Sequence, residues 1–199
     1  MPVRAYHVIF CTHGFWPPND RCGSYSIEVR SEPLREHGPA TKVSTRKSVA
    51  GKPHDYQARK AAKQALVLPE VTFNEHQALS VARGFAASVE KSKYKIHACS
   101  ILSQHVHMVI ARHHYDIEQV VRLLKQAATL RLLEDNLHPF AHLRKDGKHL
   151  PSAWAQDFWK VFLYTPTEIQ QKIEYVWNNP IKEGKRPQKW SFVVPYNGD

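Results

Sequence analysis

Apolar and polar residues recur along this 199-residue chain in patterns that predict four strands and three helices. Strands are predicted at 5–12, 95–102, 105–112 and 154–165, where β-branched and aromatic residues predominate. Helices are predicted to begin at residues 72, 116 and 165, between and after these strands. The order strand, helix, strand, strand, helix, strand, helix predicts a single α+β domain, an antiparallel sheet with helices packed on one face.

Capping signals and apolar spacing define the three helices. Thr72 with Glu75, and Thr165 with Glu168, have the spacing of a capping box, and Pro180 is expected to end the last helix. The first helix has apolar residues at core-facing spacing, at Ala78, Val81, Ala82, Phe85 and Val89. The second, about 116–133, has the stripe Ile117, Val120, Val121, Leu124, Ala128 and Leu132, and the third has Ile169, Ile173 and Val176.

Positive charge indicates the class of partner. The net charge is +10 and the isoelectric point is near 9.6, which favours polyanions such as nucleic acid. Residues of about 13–64 are interpreted as a basic loop that is inserted into one domain of residues 1–199 and is available to bind a phosphate backbone. The alternative is a solvated surface loop that does not bind nucleic acid. The candidate DNA-binding residues are Lys42, Arg46, Lys47, Lys52, Arg59, Lys60, Lys63, Arg122, Lys125 and Arg131.

Other composition signals argue against membrane and disulfide-rich proteins. There is no run of 18 apolar residues and no signal-peptide pattern at the start, so no membrane partner is expected. The cysteines at 11, 22 and 99 are scattered and form no CxxC pair. This favours a protein of the reducing cytoplasm.

Two histidines at alternate positions of one predicted strand form a candidate metal site. His105 and His107 should face the same side of the sheet, where two neutral imidazoles can begin a divalent-cation site. A packed, hydrogen-bonded pair is the alternative interpretation. The HxHxDH extension of many zinc hydrolases is absent, because Val109 and Ile110 occupy its last two positions.

The last helix provides possible partners for these histidines. Tyr175 and Asn179 are four residues apart and should share one helical face, with Gln171 one turn earlier. Half-burial of Tyr175 at a helix–sheet seam is the structural alternative. Tyr115 and Tyr164 are weaker candidate nucleophiles, since neither has an amide residue at helical spacing.

The joint pattern resembles a known family. The strand motif His105-Val106-His107, followed far downstream by YVWNNP and then IKEG, resembles the HUH-type single-tyrosine transposases, in particular the REP-associated tyrosine transposase-like branch. AYHVIF and KWSFVVPY also resemble the first strand and the tail of this family. The chain departs from the pattern at the Ser103-Gln104 turn and in the expanded basic loop.

The resemblance implies a fold, a chemistry and a ligand set. The fold would be a ferredoxin-like antiparallel sheet, in keeping with the predicted element order. His105, His107 and Asn179 would bind Mg²⁺ or Mn²⁺, and Tyr175 would form a 5′-phosphotyrosine link, with Gln171 as a possible positioning residue. The substrate would be single-stranded or hairpin DNA, nicked and rejoined by a monomer or homodimer in the cytoplasm of a prokaryotic cell.

Two other functions fit the residues. One is a non-catalytic nucleic-acid-binding protein that retains the transposase fold, which would bind DNA in a salt-dependent manner without cleavage. The other is a different metallohydrolase built on His105 and His107, whose activity would not depend on Tyr175.

Overall fold

A computed structural model describes residues 1–20, 24, 26–43, 55–145 and 149–198 of the chain. Four strands are formed, at β1 Ala5–Thr12, β2 Ile96–Ile101, β3 His105–Ala111 and β4 Trp154–Leu163. The α-helices are α1 Glu32–Arg35, α2 Tyr56–Gln64, α3 Glu75–Ser92, α4 Ile117–Glu134 and α5 Pro166–Lys182, with a 3₁₀ turn at Ala141–Leu143. The predicted order of strands and long helices is therefore confirmed.

All strand pairs in the sheet are antiparallel, and the strand order is β2-β3-β1-β4. β2 and β3 form the hairpin predicted across Ser103 and Gln104. β1 lies in the middle, pairing Ile9 with His107 on one side and with Trp159 on the other. This is the α+β, ferredoxin-like arrangement expected from the sequence, and it puts the histidine strand beside β1.

Helices cover both faces of this sheet, which corrects the expectation that they pack on one face. α3 and α4 lie over the face that carries Val8, Phe10 and Met108, and these form the larger core. α5 lies over the opposite face, where Ile169, Ile173 and Val176 pack against Ala98, Val109 and Leu163. β3 needs apolar residues on both sides for this reason, and five of its seven residues are buried.

α3 and α4 show how closely the predicted stripes match the buried positions. All six predicted stripe residues of α4 are buried. α3 begins later than expected: its capping box joins Asn74 and Gln77, and not Thr72 and Glu75. Asn is as good an N-cap as Thr, and its side-chain oxygen accepts the Gln77 amide at 2.9 Å.

α5 begins as predicted but extends beyond its proline. The Thr165–Glu168 capping box is formed, with Pro166 in the first turn. Pro180 lies inside the helix, which ends at Lys182, so the expected stop at this proline is wrong. The real end is a left-handed Gly184 (φ +68°), with the Lys185 amide bonded to the Pro180 carbonyl at 2.8 Å. Pro180 has no amide proton, so the helix lacks one backbone hydrogen bond within its last turn.

Part of the predicted basic loop is helical. α2 is capped by Asp55, whose side chain accepts the Ala58 amide, and its sequence YQARKAAKQ is rich in good helix formers. Leu34 and Ala62 pack with Val29 in a small separate core, so the insertion has an interior of its own. Residues 44–54 fall outside the described ranges. None of the helices within those ranges is long and apolar enough to cross a membrane.

Candidate active site

The start of β3 presents both predicted histidines to the α5 side of the sheet. Val106, Met108 and Ile110 point into the larger core, so alternation turns His105 and His107 to the other face. Their ring centroids are 5.0 Å apart. His107 is buried, and His105 is partly buried at the edge of the sheet.

α5 brings Tyr175 and Asn179 to these histidines. The Tyr175 ring lies 5.7 Å from the His107 ring, edge to face. Tyr175 is 37% exposed, so its phenol can be reached from solvent, whereas Asn179 is 8% exposed and fixed against the sheet. Gln171 is exposed on α5 one turn before Tyr175. His105, His107, Tyr175 and Asn179 all line one cavity.

His7 is a site residue that the sequence analysis missed. Its Nε2 lies 3.2 Å from Nδ1 of His107, and its ring is 5.6 Å from that of Tyr175. The signal was present in β1: Val8 and Phe10 face the core, so the alternation of AYHVIF puts His7 on the opposite face. Which residues lie next to His7 on that face depends on the order of the strands in the sheet, and the sequence pattern alone does not give this order.

Burial keeps the three imidazoles in their neutral form. Burial, with the Lys172 ammonium adding to it, lowers the pKa of His7 to about 3. Burial and then Lys185 lower the pKa of His105 to about 4. The pKa of His107 is well below its usual value, first through burial and then through the neighbouring imidazoles and Lys172. Neutral imidazole is the form that can bind a metal or accept a proton.

Lysines surround the nucleophile candidate. The ammonium groups of Lys172 and Lys182 lie 5.3 Å and 4.9 Å from the centre of the Tyr175 ring. Glu183 places Oε1 3.5 Å from Nε2 of His105, and its other oxygen is 3.8 Å from Lys185. Cations next to an exposed phenol favour an anionic substrate.

The cavity over the site has a volume of about 710 Å³ and is bounded by distant parts of the chain. Phe15 and Trp16, which follow β1, contribute to one wall, and the first half of β4 contributes residues 155–159. Serines and an exposed Glu28–Arg30 ion pair also lie along it. The combination of aromatic, apolar and hydroxyl groups suits unpaired nucleotides, whose bases stack on aromatic rings.

The candidate DNA-binding residues fall into three groups. Lys42, Lys60 and Arg122 are exposed. Four have partners within the protein: Arg59 pairs with Asp20, Lys63 with Glu70, Arg131 with Asp135, and Lys125 donates to the carbonyl oxygens of residues 155–157. Arg46, Lys47 and Lys52 lie outside the described residues.

The two other candidate nucleophiles are placed elsewhere. Tyr115 follows the far end of β3, with its ring 4.2 Å from that of His114 and 5.1 Å from that of His113. Tyr164 follows β4, where its backbone amide donates to the Glu168 carboxylate at 2.8 Å. Tyr175 is the tyrosine whose ring contacts both His7 and His107 within the described part of the chain.

The solved structures that are similar to this chain include the following two. The first is a REP-associated tyrosine transposase bound to a REP hairpin, at 14% identity and a TM-score of 0.48, covering 96% of this chain and 76% of that one. The second is described as a putative transposase from Deinococcus radiodurans, at 16% identity and a TM-score of 0.38, covering 88% and 92%. The sequence resembles the same class of protein. No family model and no curated protein matches the chain.

Proposed function

We propose that this protein is a metal-dependent single-stranded DNA endonuclease and strand transferase with Tyr175 as its nucleophile. The observation that carries the proposal is the meeting of four side chains in one cavity: His105 and His107 from β3, and Tyr175 and Asn179 from α5. The two pairs are far apart in the sequence and reach each other only through the packing of α5 on the sheet.

The predicted ligand set fits a divalent cation, Mg²⁺ or Mn²⁺. His105 and His107 are neutral, and Nδ1–H of His107 can donate to Nε2 of His7, the tautomer that leaves Nε2 of His107 unprotonated for a metal. Nδ1 of His105 is buried without a hydrogen-bond partner in the described residues, and Asn179 would offer its side-chain oxygen Oδ1 to the cation. Those residues include no cluster of three His, Cys, Asp or Glu suited to a metal, and the proposed set has an amide as its third member. When bound, the cation would polarise the scissile phosphate as a Lewis acid.

The protein's own groups perform the transfer. The Tyr175 hydroxyl loses its proton and its oxygen attacks phosphorus; the bond from phosphorus to the 3′ oxygen breaks, and that oxygen leaves as a 3′-hydroxyl. The product is a DNA 5′-phosphate ester of Tyr175. Attack by a 3′-hydroxyl reverses the step and rejoins a strand. Lys172 and Lys182, beside the Tyr175 ring, stabilise negative charge on the phenol oxygen and the phosphate.

Single-stranded DNA, in particular the unpaired part of a hairpin, is the substrate that suits this cavity. Its walls contain aromatic rings and hydroxyl groups, and Lys172 and Lys182 lie beside Tyr175, one of its lining residues. The net charge of +10 favours the approach of any nucleic acid. The number of copies of the chain that act together is left open, as monomer or homodimer.

Formation of a covalent adduct tests the proposal. End-labelled hairpin oligonucleotides with single-stranded flanks are incubated with the protein and Mn²⁺, then separated in denaturant. We expect an adduct in the wild type and in the control Tyr164→Phe, and none in Tyr175→Phe. His105→Ala should bind the same DNA without forming an adduct, because affinity comes mainly from scattered cations.

Two results would overturn this proposal. An adduct that survives Tyr175→Phe would exclude this tyrosine as the nucleophile. Salt-dependent DNA binding by the wild type, without cleavage in any divalent metal, would favour a non-catalytic DNA-binding protein instead.

A further inference from the structure

The two candidate metal ligands on β3 are held in place by different means. Nδ1 of His107 is 3.2 Å from Nε2 of His7, so a hydrogen bond holds its ring plane and couples its tautomer to that of His7. Nδ1 of His105 is buried and has no such partner in the described ranges. What holds the flat face of His105 is the Phe15 ring, stacked at 5.2 Å between centroids and an interplanar angle of 19°.

A turn after β1 brings Phe15 back over His105. Gly14 has φ +78°, a backbone conformation that residues with a side chain rarely adopt. A Cβ at this position would also lie 2.9 Å from the Glu70 backbone, so glycine is required for space as well. The Thr12 carbonyl accepts the Phe15 amide at 3.4 Å and closes the turn. The chain therefore returns at once to the site face after leaving the sheet.

Arg59 of α2 also contacts Phe15. Its Nη2 donates to the Phe15 carbonyl oxygen at 3.1 Å, and its guanidinium carbon lies 5.7 Å from the Phe15 ring and 4.8 Å from the Trp16 ring. Nε of Arg59 is 3.0 Å from the carboxylate of Asp20, a side chain with no exposed surface. An arginine fixed by a buried carboxylate can act as a rigid support, because its fork is already oriented.

A second connection joins α2 to the turn before His105. Lys63, one helical turn after Arg59, pairs with Glu70, and the same Glu70 carboxylate oxygen accepts Nε2 of Gln104 at 3.0 Å. Gln104 is the residue immediately before His105. α2 is therefore connected to the ring of His105 through Phe15, and to the residue before His105 through Glu70 and Gln104.

We propose that Arg59 and Phe15 are positioning residues for His105, and that α2 of the insertion supports the active site. Arg59, which is predicted from its charge to contact DNA, would thus instead support His105 through contacts within the protein. An increase in metal affinity from these residues rests on the function proposed above. The positioning of the His105 ring by Phe15 and Arg59 does not depend on that function. Supporting groups behind a metal ligand typically change metal affinity by about ten- to a hundredfold.

Substitutions at residues 15 and 59, with a neighbour as control, test this proposal. Phe15→Leu keeps an apolar side chain without a flat ring, and Phe15→Trp restores a ring. Arg59→Gln removes the guanidinium, and Lys60→Gln removes an exposed charge from the next position of the same helix. The measurements are the His105 ring resonances by NMR in metal-free protein, Mn²⁺ affinity without DNA, DNA affinity without metal, and the thermal midpoint.

The expected pattern separates positioning from general damage. Phe15→Leu and Arg59→Gln should shift the His105 resonances, through lost ring current and a changed ring orientation, and should weaken Mn²⁺ binding about tenfold. Phe15→Trp should restore most of the Mn²⁺ affinity. Lys60→Gln should leave the His105 resonances and the Mn²⁺ affinity unchanged. DNA affinity without metal should be the same in Arg59→Gln as in Lys60→Gln.

Unchanged His105 resonances in folded Phe15→Leu and Arg59→Gln would overturn the inference, whether or not the wild type cleaves DNA. A loss of DNA affinity confined to Arg59→Gln would likewise overturn it in favour of a DNA contact. Failure of the proposed function has a separate sign, the absence of an adduct in the wild type.

Discussion

The imidazoles of His7 and His107 are joined across two adjacent strands, with Nε2 of the first 3.2 Å from Nδ1 of the second. They do not face each other directly: Ile9 is the partner of His107 in the register and Val109 is that of His7, so the contact is diagonal. One nitrogen must donate and the other accept, which couples the tautomer of His107 to that of His7. β1 therefore shapes the site although the metal ligands are on β3 and α5.

Replacing His7 is expected to weaken metal binding through His107. His7→Phe fills similar space but cannot bond to Nδ1, so we expect Mn²⁺ affinity to fall about ten- to a hundredfold. His7→Gln retains a side-chain oxygen that can accept a hydrogen bond from Nδ1–H of His107, and it should lose less. Calorimetric titration of the DNA-free protein measures the effect. Equal affinity in wild type and His7→Phe would show that the bond has no role in metal binding.

Acid is expected to destabilise the protein through the same histidines. The pKa values of His7 and His105 are lowered to about 3 and about 4, against a usual value of 6.5. Between pH 6.5 and these values the unfolded chain binds protons that the folded chain does not, so stability falls as pH falls. Each such histidine contributes a slope of up to about 1.4 kcal/mol per pH unit within its window.

Urea unfolding between pH 7 and pH 4 measures this dependence. His7→Gln should have a shallower slope than the wild type, since one of the titrating groups has been removed. His76→Gln, at an exposed position of α3, is the matched control and should leave the slope unchanged. A wild-type free energy of unfolding that stays constant down to pH 4.5 would contradict the expected direction.

The sequence predicts best what depends on local pattern. The stripes of α4 and α5 are all buried, and the Thr165–Glu168 box is formed, because apolar spacing and capping act within one helix. It predicts less well what depends on the neighbours of an element. The placement of α5 opposite α3 and α4, and the meeting of His7 with His107, follow from strand order and long-range packing.

Charge was the least specific of the sequence signals. Its positive charge makes Lys125 a candidate DNA contact, yet its ammonium donates to the carbonyl oxygens of Ala155, Gln156 and Asp157. Burial lowers its pKa to about 8. A long side chain can extend from the edge of a stripe to distant backbone, and local periodicity does not show this.

Gly84 should be essential for the close packing of α3 on α4. A Cβ at this position would lie 2.6 Å from Cα of Ala128 and 2.7 Å from the carbonyl oxygen of Ala127, and both are backbone atoms. Gly84→Ala improves helix propensity by about 1 kcal/mol. We expect this gain to be exceeded by a separation of the two helices that costs roughly 1–3 kcal/mol, so the free energy of unfolding should decrease.

Ala87→Gly is the control for the effect of helix propensity on the free energy of unfolding. Ala87 is on the exposed side of the same helix, so the change should cost about 1 kcal/mol through propensity alone. If Gly84→Ala raised the free energy of unfolding in urea, the close contact between α3 and α4 would not hold in solution.

Lys172 and Lys182 are expected to act on the rate of the transfer more than on DNA affinity. Both ammonium groups lie within 5.3 Å of the Tyr175 ring centre, and the phenol becomes negatively charged as it loses the proton before attack. Lys172→Gln and Lys182→Gln should each slow adduct formation at saturating DNA. A loss on the order of ten- to a hundredfold is expected, somewhat below that of a removed oxyanion-hole donor. Lys91→Gln, at an exposed position of α3 on the opposite side of the sheet, removes the same charge as a control. If the two variants bound DNA more weakly but reacted at the wild-type rate once saturated, the lysines would serve binding alone, and stabilisation of charge at Tyr175 would have to come from other groups.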